Sequence, residues 1–285
     1  MANQLQSSTA ESAVDRVSRY TRQPELVVRI NKDAFKPLLP LPQSESINII
    51  FKRLWLETTK LFPEVDYIYY GDKFGAFVGY ERLPLKFAEE FNFTGVFGAE
   101  FRAPDGSGAV KLCEMCPPAF AVRPGAKKYY FVNDEGIYLQ SYKEHAYDPR
   151  ERPWYQAAAA GKGELVWLDI YNHSSGHTLG MTAAMALMAG SEVAAVVAAD
   201  FTVSYFSDYL KYVTDVIEDE EGFILNWETG LMVASSLGIS HVAKAIDSGH
   251  RTAQVRYHWT QVSDTTVQSS IRAWDLIFPW GRWGR

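Results

Sequence analysis

The sequence predicts an α+β fold in which helices pack on one face of an antiparallel sheet. Three observations support this class: β-rich runs outnumber helical stretches, short turns rich in glycine or polar residues join several of those runs, and helix-like periodicity dominates the N-terminal part. The composition is that of a globular protein, since 47% of the 285 residues are hydrophobic and 22% are charged.

Two N-terminal stretches carry apolar residues at three- and four-residue steps, which indicates helices. The first is "AESAVDRVSRYTRQPELVVRI" and the second "SESINIIFKRLWLETTKLFP", which ends at Pro63. Ser44 or Ser46 is a plausible N-cap for the second helix. We therefore expect a long N-terminal helix within a helical segment over residues 1–55.

Two hairpins follow the helices. Val65 to Tyr70 and Ala76 to Tyr80 flank a glycine-bracketed turn, and "KYYFV" and "IYLQSYKE" flank "NDEG". Between the hairpins, residues 101–124 are rich in glycine, proline and charge, and we interpret them as a long connection.

A short helix and three more strands complete this pattern. Pro153 suits the first turn of a helix that runs to about Gly161, because its missing N–H group costs nothing there. The runs "GELVWLDIY", "HTLGMTAAMALM" and "EVAAVVAADF" then predict three strands. Hairpin, helix and three-strand meander is the element order of a PAS-like sensor sheet, and we place this module at residues 56–205.

A second, smaller module is predicted over residues 206–285. Thr202 can cap the helix "VSYFSDYLKYVTDVI", and "EEGFILNWETGLMVASS" repeats the strand, turn, strand pattern from near Asp219. Few residues follow, and the tail "SSIRAWDLIFPWGRWGR" shows no strand alternation. We expect this module to be incomplete and the chain to be part of a longer protein.

Charge and hydropathy exclude several partners. With 28 Lys and Arg against 34 Asp and Glu the net charge is -6, which argues against nucleic acid or an anionic membrane surface. The one long run of low charge, Met181 to Phe201, is interrupted by Gly190 and Glu192, so it predicts two buried strands and not a membrane span. The N-terminus does not have the pattern of a signal peptide.

The stretch "YDPRERPWY" carries the strongest binding chemistry. Arg152 offers a planar fork of donors that matches a carboxylate, and Trp154 and Tyr155 supply polar tips and apolar walls at the start of a helix, where anions are favoured. This set favours a small carboxylate. The alternative is a surface arginine stacked on core aromatic rings.

Two strands end in polar residues, Tyr171 and Asp200. An acid that closes an otherwise apolar strand needs a partner, because burying an unpaired carboxylate is costly. A cationic ligand group would be one such partner. The protein itself is the other, through a backbone amide near Thr202 or a nearby arginine.

Taken together, "YDPRERPWY", "YNHSSGHT", "VAADFTVSYFSDYL" and "GFILNWETGLMVASS" closely resemble the double Cache domain. This family is the extracellular sensor of chemoreceptors, histidine kinases and cyclases, and also occurs in the alpha-2-delta subunits of calcium channels. The resemblance covers roughly Glu11 to Gly238. It implies PAS-like antiparallel modules in tandem, with the second module incomplete here.

In the amino-acid-binding subset of that family the first module holds the carboxylate and ammonium groups of its ligand. The resemblance assigns the carboxylate side to Tyr147, Arg152 and Trp154, and the ammonium side to Tyr155, Tyr171 and Asp200. His173 stands where the family often has an aspartate, so the ammonium cage is weaker or the ligand is different.

Other chemistries have little support. The sequence shows no nucleophile, phosphate-loop or dinucleotide motif, so we expect no enzyme activity and no cofactor. His173 and His177 lie four apart in a turn-like stretch, which is a weak metal signal. Cys113 and Cys116 form a single CxxC, and a local disulfide or two thiols are the main alternatives there.

The sequence therefore predicts the extracellular ligand-sensing domain of a signalling receptor at the plasma membrane. It would bind a small amino acid and pass a conformational change to a membrane-anchored output module that this chain lacks, with a possible homodimer through the N-terminal helix. The alternatives are an auxiliary subunit of the alpha-2-delta type and the sensor fragment of a nucleotide cyclase or kinase.

Overall fold

The computed structural model describes residues 2–41, 43–83, 85–103, 105, 125–172, 179–214, 222–226, 229–238, 242–247 and 252–262. The chain divides into two compact units. One comprises residues 22–168 and 182–201, and the other comprises residues 1–21, 169–181 and 202–285.

Two helices form the N-terminal part of the chain. Helix α1 is Ala2–Phe35, and α2 is Gln43–Leu56, continued by a π-helical turn at Glu57–Leu61. The predicted long N-terminal helix is confirmed. The N-cap prediction for α2 is wrong, because the helix already begins at Gln43 and so includes Ser44 and Ser46.

Eight strands form one antiparallel sheet in the order β5-β4-β3-β2-β1-β8-β7-β6. The α+β class is therefore confirmed. The strands are β1 Tyr67–Asp72, β2 Phe77–Arg82, β3 Phe97–Arg102, β4 Ala126–Val132, β5 Tyr138–Ala146, β6 Val166–Asn172, β7 Leu179–Ala189 and β8 Glu192–Thr202.

Most of the predicted elements are present. Both hairpins form, as β1–β2 and β4–β5, and the short helix α4 spans Pro153–Ala160 with proline in its first turn. The low-charge run forms β7 and β8, which are joined by a tight turn with Gly190 at a φ of 65°. Among the described residues, no helix has both the length and the hydropathy needed to cross a lipid bilayer.

Strand β3 is the main element that the sequence analysis missed. Phe101 and Arg102, which we assigned to a connection, end this strand, and Phe101 lies opposite Val78 of β2. Residues 106–124 of that connection lie outside the described part of the chain. A short helix, α3 at Leu85–Glu90, precedes β3.

The two faces of the sheet differ in what covers them. On one face, aliphatic and aromatic side chains of the central strands share a core with buried residues of α1 and α2, such as Val27 and Phe51. On the other, which we call the site face, strand residues share a second core with Trp154, Tyr155 and Ala158 of α4. Because side chains alternate along a strand, the site face also carries Glu81, Glu100, Lys127 and Asp200. The strand residues of its core are Tyr67, Tyr69, Phe77, Ala184, Ala186, Val196 and Ala198.

The second unit contains α5 at Val203–Thr214 and two hairpins. The first, β9 Phe223–Leu225 with β10 Met232–Ser235, confirms the predicted strand, turn, strand pattern. The second pairs β11 Ala243–Asp247 with β12 Thr252–Arg256 and was not predicted. Residues 263–285 lie outside the described part, so the prediction that this module is incomplete stays a prediction.

Candidate functional site

The segment from Tyr147 to Ala160 crosses the site face, and its sequence explains its shape. The Asp148 carboxylate accepts a 2.9 Å hydrogen bond from the backbone N–H of Arg150, which caps a 3-10 turn at Pro149–Glu151. Arg152 is extended, and Pro153 then starts α4. Two prolines and a side-chain cap thus fix the backbone on both sides of Arg152.

The two arginines of this segment have different environments. Arg150 forms ion pairs with Asp148 and with Asp105, the latter at 2.6 Å between its Nη2 and the Asp105 Oδ2. Arg152 forms no ion pair among the described residues, and its guanidinium carbon lies 5.9 Å from the centroid of the Tyr147 ring. Its side chain is half-buried. Arg152 is therefore the arginine that can accept an outside carboxylate.

Aromatic rings connect this segment to the sheet. Trp154 packs edge-on against Tyr69 with centroids 4.9 Å apart, and Tyr147 packs against Phe77 at 5.1 Å. Gly71 of β1 makes room for the indole, since a Cβ atom there would lie 2.9 Å from the Trp154 Cη2. Tyr147, Trp154 and Tyr155 are all buried, and of these rings Tyr147 is the one that lies against the Arg152 guanidinium.

Asp200 lies at the end of β8 on the same face and is 1% exposed. Its Oδ1 accepts a 2.9 Å hydrogen bond from the Tyr69 hydroxyl, and Thr182 also hydrogen bonds to it. The protein thus supplies hydroxyl partners to this carboxyl group. Burial raises the pKa of the Asp200 carboxyl to about 8, against its usual 3.8, because low polarity disfavours the charged form.

The remaining predicted residues lie elsewhere. Tyr155 is buried, and burial and the nearby Asp72 raise the pKa of its hydroxyl to about 12. Tyr171 is half-buried near the end of β6, in a stretch assigned to the other compact unit. His173, His177, Cys113 and Cys116 lie outside the described residues. Within the described part, no three metal-binding side chains cluster.

Sequence reasoning missed a group of buried charges on this face. Glu81, Glu100 and Lys127 are at most 8% exposed, and the Lys127 ammonium forms an ion pair with Glu100. Tyr69, the partner of Asp200, was also not identified. The signal was present, because Lys127 stands two residues before the buried Tyr129 in an alternating strand and must therefore point to the same side.

Residues 109–208 match the family described as methyl-accepting chemotaxis protein-like, first PDC sensor domain. This stretch is similar to the PDC sensor domains of chemoreceptors. It covers about a third of the chain, and all seven predicted site residues, from Tyr147 to Asp200, lie within it. The resemblance identified from the sequence motifs is thereby confirmed for this PDC sensor segment.

A curated relative agrees with this match. The methyl-accepting chemotaxis protein McpB of Bacillus subtilis (strain 168) is 36% identical over 96 residues, which is 33% of this chain and 14% of that protein. The matched part is thus a small fraction of the relative's length.

Several solved structures are similar at low identity. The ligand-binding domain of the amino acid chemoreceptor PctC of Pseudomonas aeruginosa PAO1, in complex with GABA, is 13% identical with a TM-score of 0.45, covering 89% of this chain and 90% of that chain. The ligand-binding domain of the Campylobacter jejuni chemoreceptor Tlp3, in complex with 4-methylisoleucine, is 12% identical with a TM-score of 0.41, covering 85% of this chain and 75% of that chain.

Proposed function

We propose that this chain is the ligand-binding part of a chemoreceptor-type sensor and that it binds a small amino acid reversibly on the site face. The Arg152 guanidinium would hold the ligand carboxylate, and Asp200 would hold the ligand ammonium. Tyr147 and Trp154 would provide the walls beside the carboxylate, while Tyr155 is a further candidate on the ammonium side.

One observation carries this proposal: Arg152 is fixed at the start of α4, half-buried, and forms no ion pair among the described residues. The neighbouring Arg150 shows the contrast, because it is held by two aspartates. A guanidinium that is partly removed from water and has no counterion is an effective carboxylate site, since two parallel hydrogen bonds can form without first breaking an ion pair. The N-terminal end of α4 adds to the attraction for an anion.

The opposite end of the ligand would meet Asp200. In the absence of a cation, its buried carboxyl retains a proton near neutral pH. A ligand ammonium favours the charged form, so binding would ionise Asp200 and convert a neutral hydrogen bond into an ion pair. Tyr69 contacts both Asp200 and Trp154. A single aromatic side chain thus connects Asp200 with a wall residue proposed for the carboxylate side.

A ligand screen on the whole chain tests the proposal. Thermal unfolding should be followed with and without each of the common amino acids, and the ligands that stabilise the chain should be titrated by calorimetry. A ligand at 100 times its dissociation constant should stabilise the protein by about 2.7 kcal/mol. Arg152→Ala and Asp200→Ala should each remove most of that gain.

Arg29→Ala is the matched control, since Arg29 lies exposed on α1 in a pair with Glu25. It should leave the ligand-induced gain unchanged. If no amino acid stabilises the chain, or if Arg152→Ala responds to ligand as the control does, the proposed binding function is wrong. The chain would then be a scaffold of the kind expected for an auxiliary subunit.

In the intact receptor we place this domain on the extracellular side of the plasma membrane. Ligand binding would shift the population of two conformations and so control a membrane-anchored output module. Attaching the domain to the signalling part of a chemoreceptor tests this directly. Addition of the ligand should change signalling in the wild-type fusion and not in the Arg152→Ala fusion.

A further inference from the structure

Helix α4 carries a proposed ligand group at one end and a tight turn at the other. Arg152 directly precedes its first residue, and the chain leaves the helix through residues 161–163. Lys162 and Gly163 have φ angles of 48° and 94°, both in the left-handed region, and the Glu164 N–H closes the turn with a 2.9 Å hydrogen bond to the Gly161 carbonyl. Left-handed residues and a hydrogen bond together restrict this backbone, so the turn follows the helix when α4 moves.

The turn after α4 is hydrogen bonded to helix α1. The Lys32 Nζ donates a 2.7 Å hydrogen bond to the Gly163 carbonyl, although the two residues are 131 positions apart in the sequence. Gly163 is buried, and a Cβ atom there would lie 3.5 Å from the Met188 Cγ and 3.7 Å from the Lys32 Nζ. This contact therefore lies beside the end of β7, and it joins a segment of the site face to a helix that packs on the other face of the sheet.

The chemistry of this contact makes it a strong connection. A hydrogen bond donated by an ammonium group is roughly twice as strong as one between neutral groups. Lys32 is half-buried and forms no ion pair among the described residues, so no carboxylate of that part of the chain competes for its ammonium. The ammonium also lies past the C-terminal end of α4, where the helix dipole favours a positive charge. A ligand carboxylate at Arg152 would complement the other end of the same helix.

Helix α4 is suited to carry a displacement from one end to the other. Its eight residues form a rod about 12 Å long, because each residue of an α-helix rises 1.5 Å. Trp154, Tyr155 and Ala158 are buried against the sheet, so the helix has a packed face. A small shift of Arg152 towards a bound carboxylate would therefore move the turn at Gly163 as well.

Lys32 belongs to a firmly held part of α1. The adjacent Asn31 is 1% exposed and donates a 2.5 Å hydrogen bond to the carboxylate of Glu57, in the π-helical turn that continues α2. Three residues after Lys32, Phe35 packs edge-on against Tyr70 of β1 with ring centroids 6.0 Å apart. A displacement at Lys32 would therefore act on α1 and α2 together and not on one mobile side chain.

We propose that Lys32 is the positioning residue through which ligand binding at Arg152 reaches helix α1. This inference rests on the proposed function. With ligand bound, α4 is held by the ligand carboxylate, and the Gly163 carbonyl keeps Lys32, and with it α1, in one arrangement. Without ligand, the hydrogen bond between Gly163 and Lys32 opens more often, and α1 exchanges among several arrangements.

Hydrogen exchange on the whole chain measures this coupling. The probe is an equimolar mixture of the common amino acids, so that no single ligand has to be assumed. In the wild type the mixture should slow amide exchange in residues 153–160 of α4 and also in residues 27–35 of α1, in α1 by about fivefold or more, as for a typical coupling between sites. In Lys32→Met, which keeps the length of the side chain and removes its ammonium, the mixture should slow exchange in α4 and leave α1 unchanged.

A conservative variant and a matched control separate coupling from structural support. Lys32→Arg should keep the ligand response of α1, because a guanidinium can still donate to the Gly163 carbonyl. Lys36→Met is the same substitution at an exposed lysine four positions further along the chain, and it should respond as the wild type does. Should Lys32→Met not fold, Lys32→Gln, which has a shorter and neutral donor, should lower the response of α1 without abolishing it.

The two proposals fail in different ways. If the mixture slows exchange in neither helix of the wild type, the proposed function is wrong and the role of Lys32 is wrong with it. If the mixture slows exchange in α4 but not in α1 of the wild type, or if α1 of Lys32→Met responds as in the wild type, ligand binding stands and only the role of Lys32 is wrong. Loss of the response in both Lys32→Met and Lys32→Arg would also contradict that role, since the arginine retains a charged donor.

Discussion

Replacing Asp200 with asparagine should make the chain more stable while it weakens ligand binding. Asparagine has the same shape and can still accept the hydrogen bond that the Tyr69 hydroxyl donates to Asp200. It removes the ionisable carboxyl group of a residue that is only 1% exposed in the fold. The variant therefore changes the ionisation of one buried group and little else.

The magnitude follows from the shifted pKa of Asp200. Burial raises this pKa from 3.8 in an exposed chain to about 8 in the folded protein. The unfolded chain loses its proton first as pH rises, so the contribution of Asp200 to stability is complete below pH 3.8 and declines up to about pH 8. At about 1.4 kcal/mol per pH unit, some 4 kcal/mol is lost by pH 7. Asparagine does not ionise, so the variant should gain up to that amount.

Urea unfolding at several pH values measures the effect. The difference in unfolding free energy between Asp200→Asn and the wild type should be close to zero near pH 4 and should grow steadily towards pH 8 in amino-acid-free buffer. The control is Asp208→Asn, because Asp208 is exposed on α5. That variant should show no pH-dependent difference.

A specific result would refute the reasoning. If Asp200→Asn is no more stable than the wild type at pH 7.5, the carboxylate must be ionised in the apo fold and satisfied by a cation of the protein. Asp200 would then already be paired before the ligand binds, and its assignment to the ligand ammonium would be wrong.

Three further predictions follow from the same contacts. Amino-acid binding at pH 7 should release up to about one proton, because Asp200 ionises when it pairs with the ligand ammonium. Calorimetry in two buffers of different ionisation enthalpy measures the number of protons released. Binding without proton release would contradict the prediction. Lys127→Met should destabilise the chain by about 3–5 kcal/mol in urea unfolding, because Glu100 stays buried without its cation. The double variant with Glu100→Gln should recover most of this loss. If the double variant recovers none of it, the Lys127–Glu100 ion pair does not stabilise the fold. Gly71→Ala places a Cβ atom 2.9 Å from the Trp154 ring, so it should lower the unfolding free energy by about 1–3 kcal/mol and weaken ligand binding, whereas wild-type stability would show that the indole does not pack there.

The elements that the sequence predicted well have strong local signals. Glycine or polar turns between β-rich runs define both hairpins, Pro153 marks the start of α4, and the apolar runs around Gly190 form β7 and β8. In each case the signal, an alternation of apolar residues or a residue that restricts the backbone, lies within a few residues of sequence. Such local signals are sufficient to predict the element.

The missed elements depend on tertiary contacts. Strand β3 alternates Phe97, Ala99 and Phe101 with Glu100 and Arg102, and the charged residues made it look like an exposed connection. These charges are buried because Lys127 and Asp105 pair with them. Asp105 lies three residues from Arg102, but Lys127 lies on β4, so the sequence alone could not show that Glu100 would be neutralised.

The candidate site shows the same division. The sequence motifs identified the arginine and the acid, but not the difference between Arg150 and Arg152, which depends on Asp105 far away in the sequence. Nor could they identify Tyr69 as the partner of Asp200, since that contact requires the register between β1 and β8.

The most direct test of the central claim is a calorimetric cycle that combines protein variants with altered ligands. Arg152→Ala should weaken binding of the amino acid at least about tenfold but leave binding of its carboxamide, which has no carboxylate, within about twofold. Asp200→Asn should in the same way weaken binding of the amino acid and leave binding of its des-amino analogue, which has no ammonium group, nearly unchanged. If each variant weakens the intact and the altered ligand equally, Arg152 and Asp200 do not hold the two ends of the ligand, and the account is wrong.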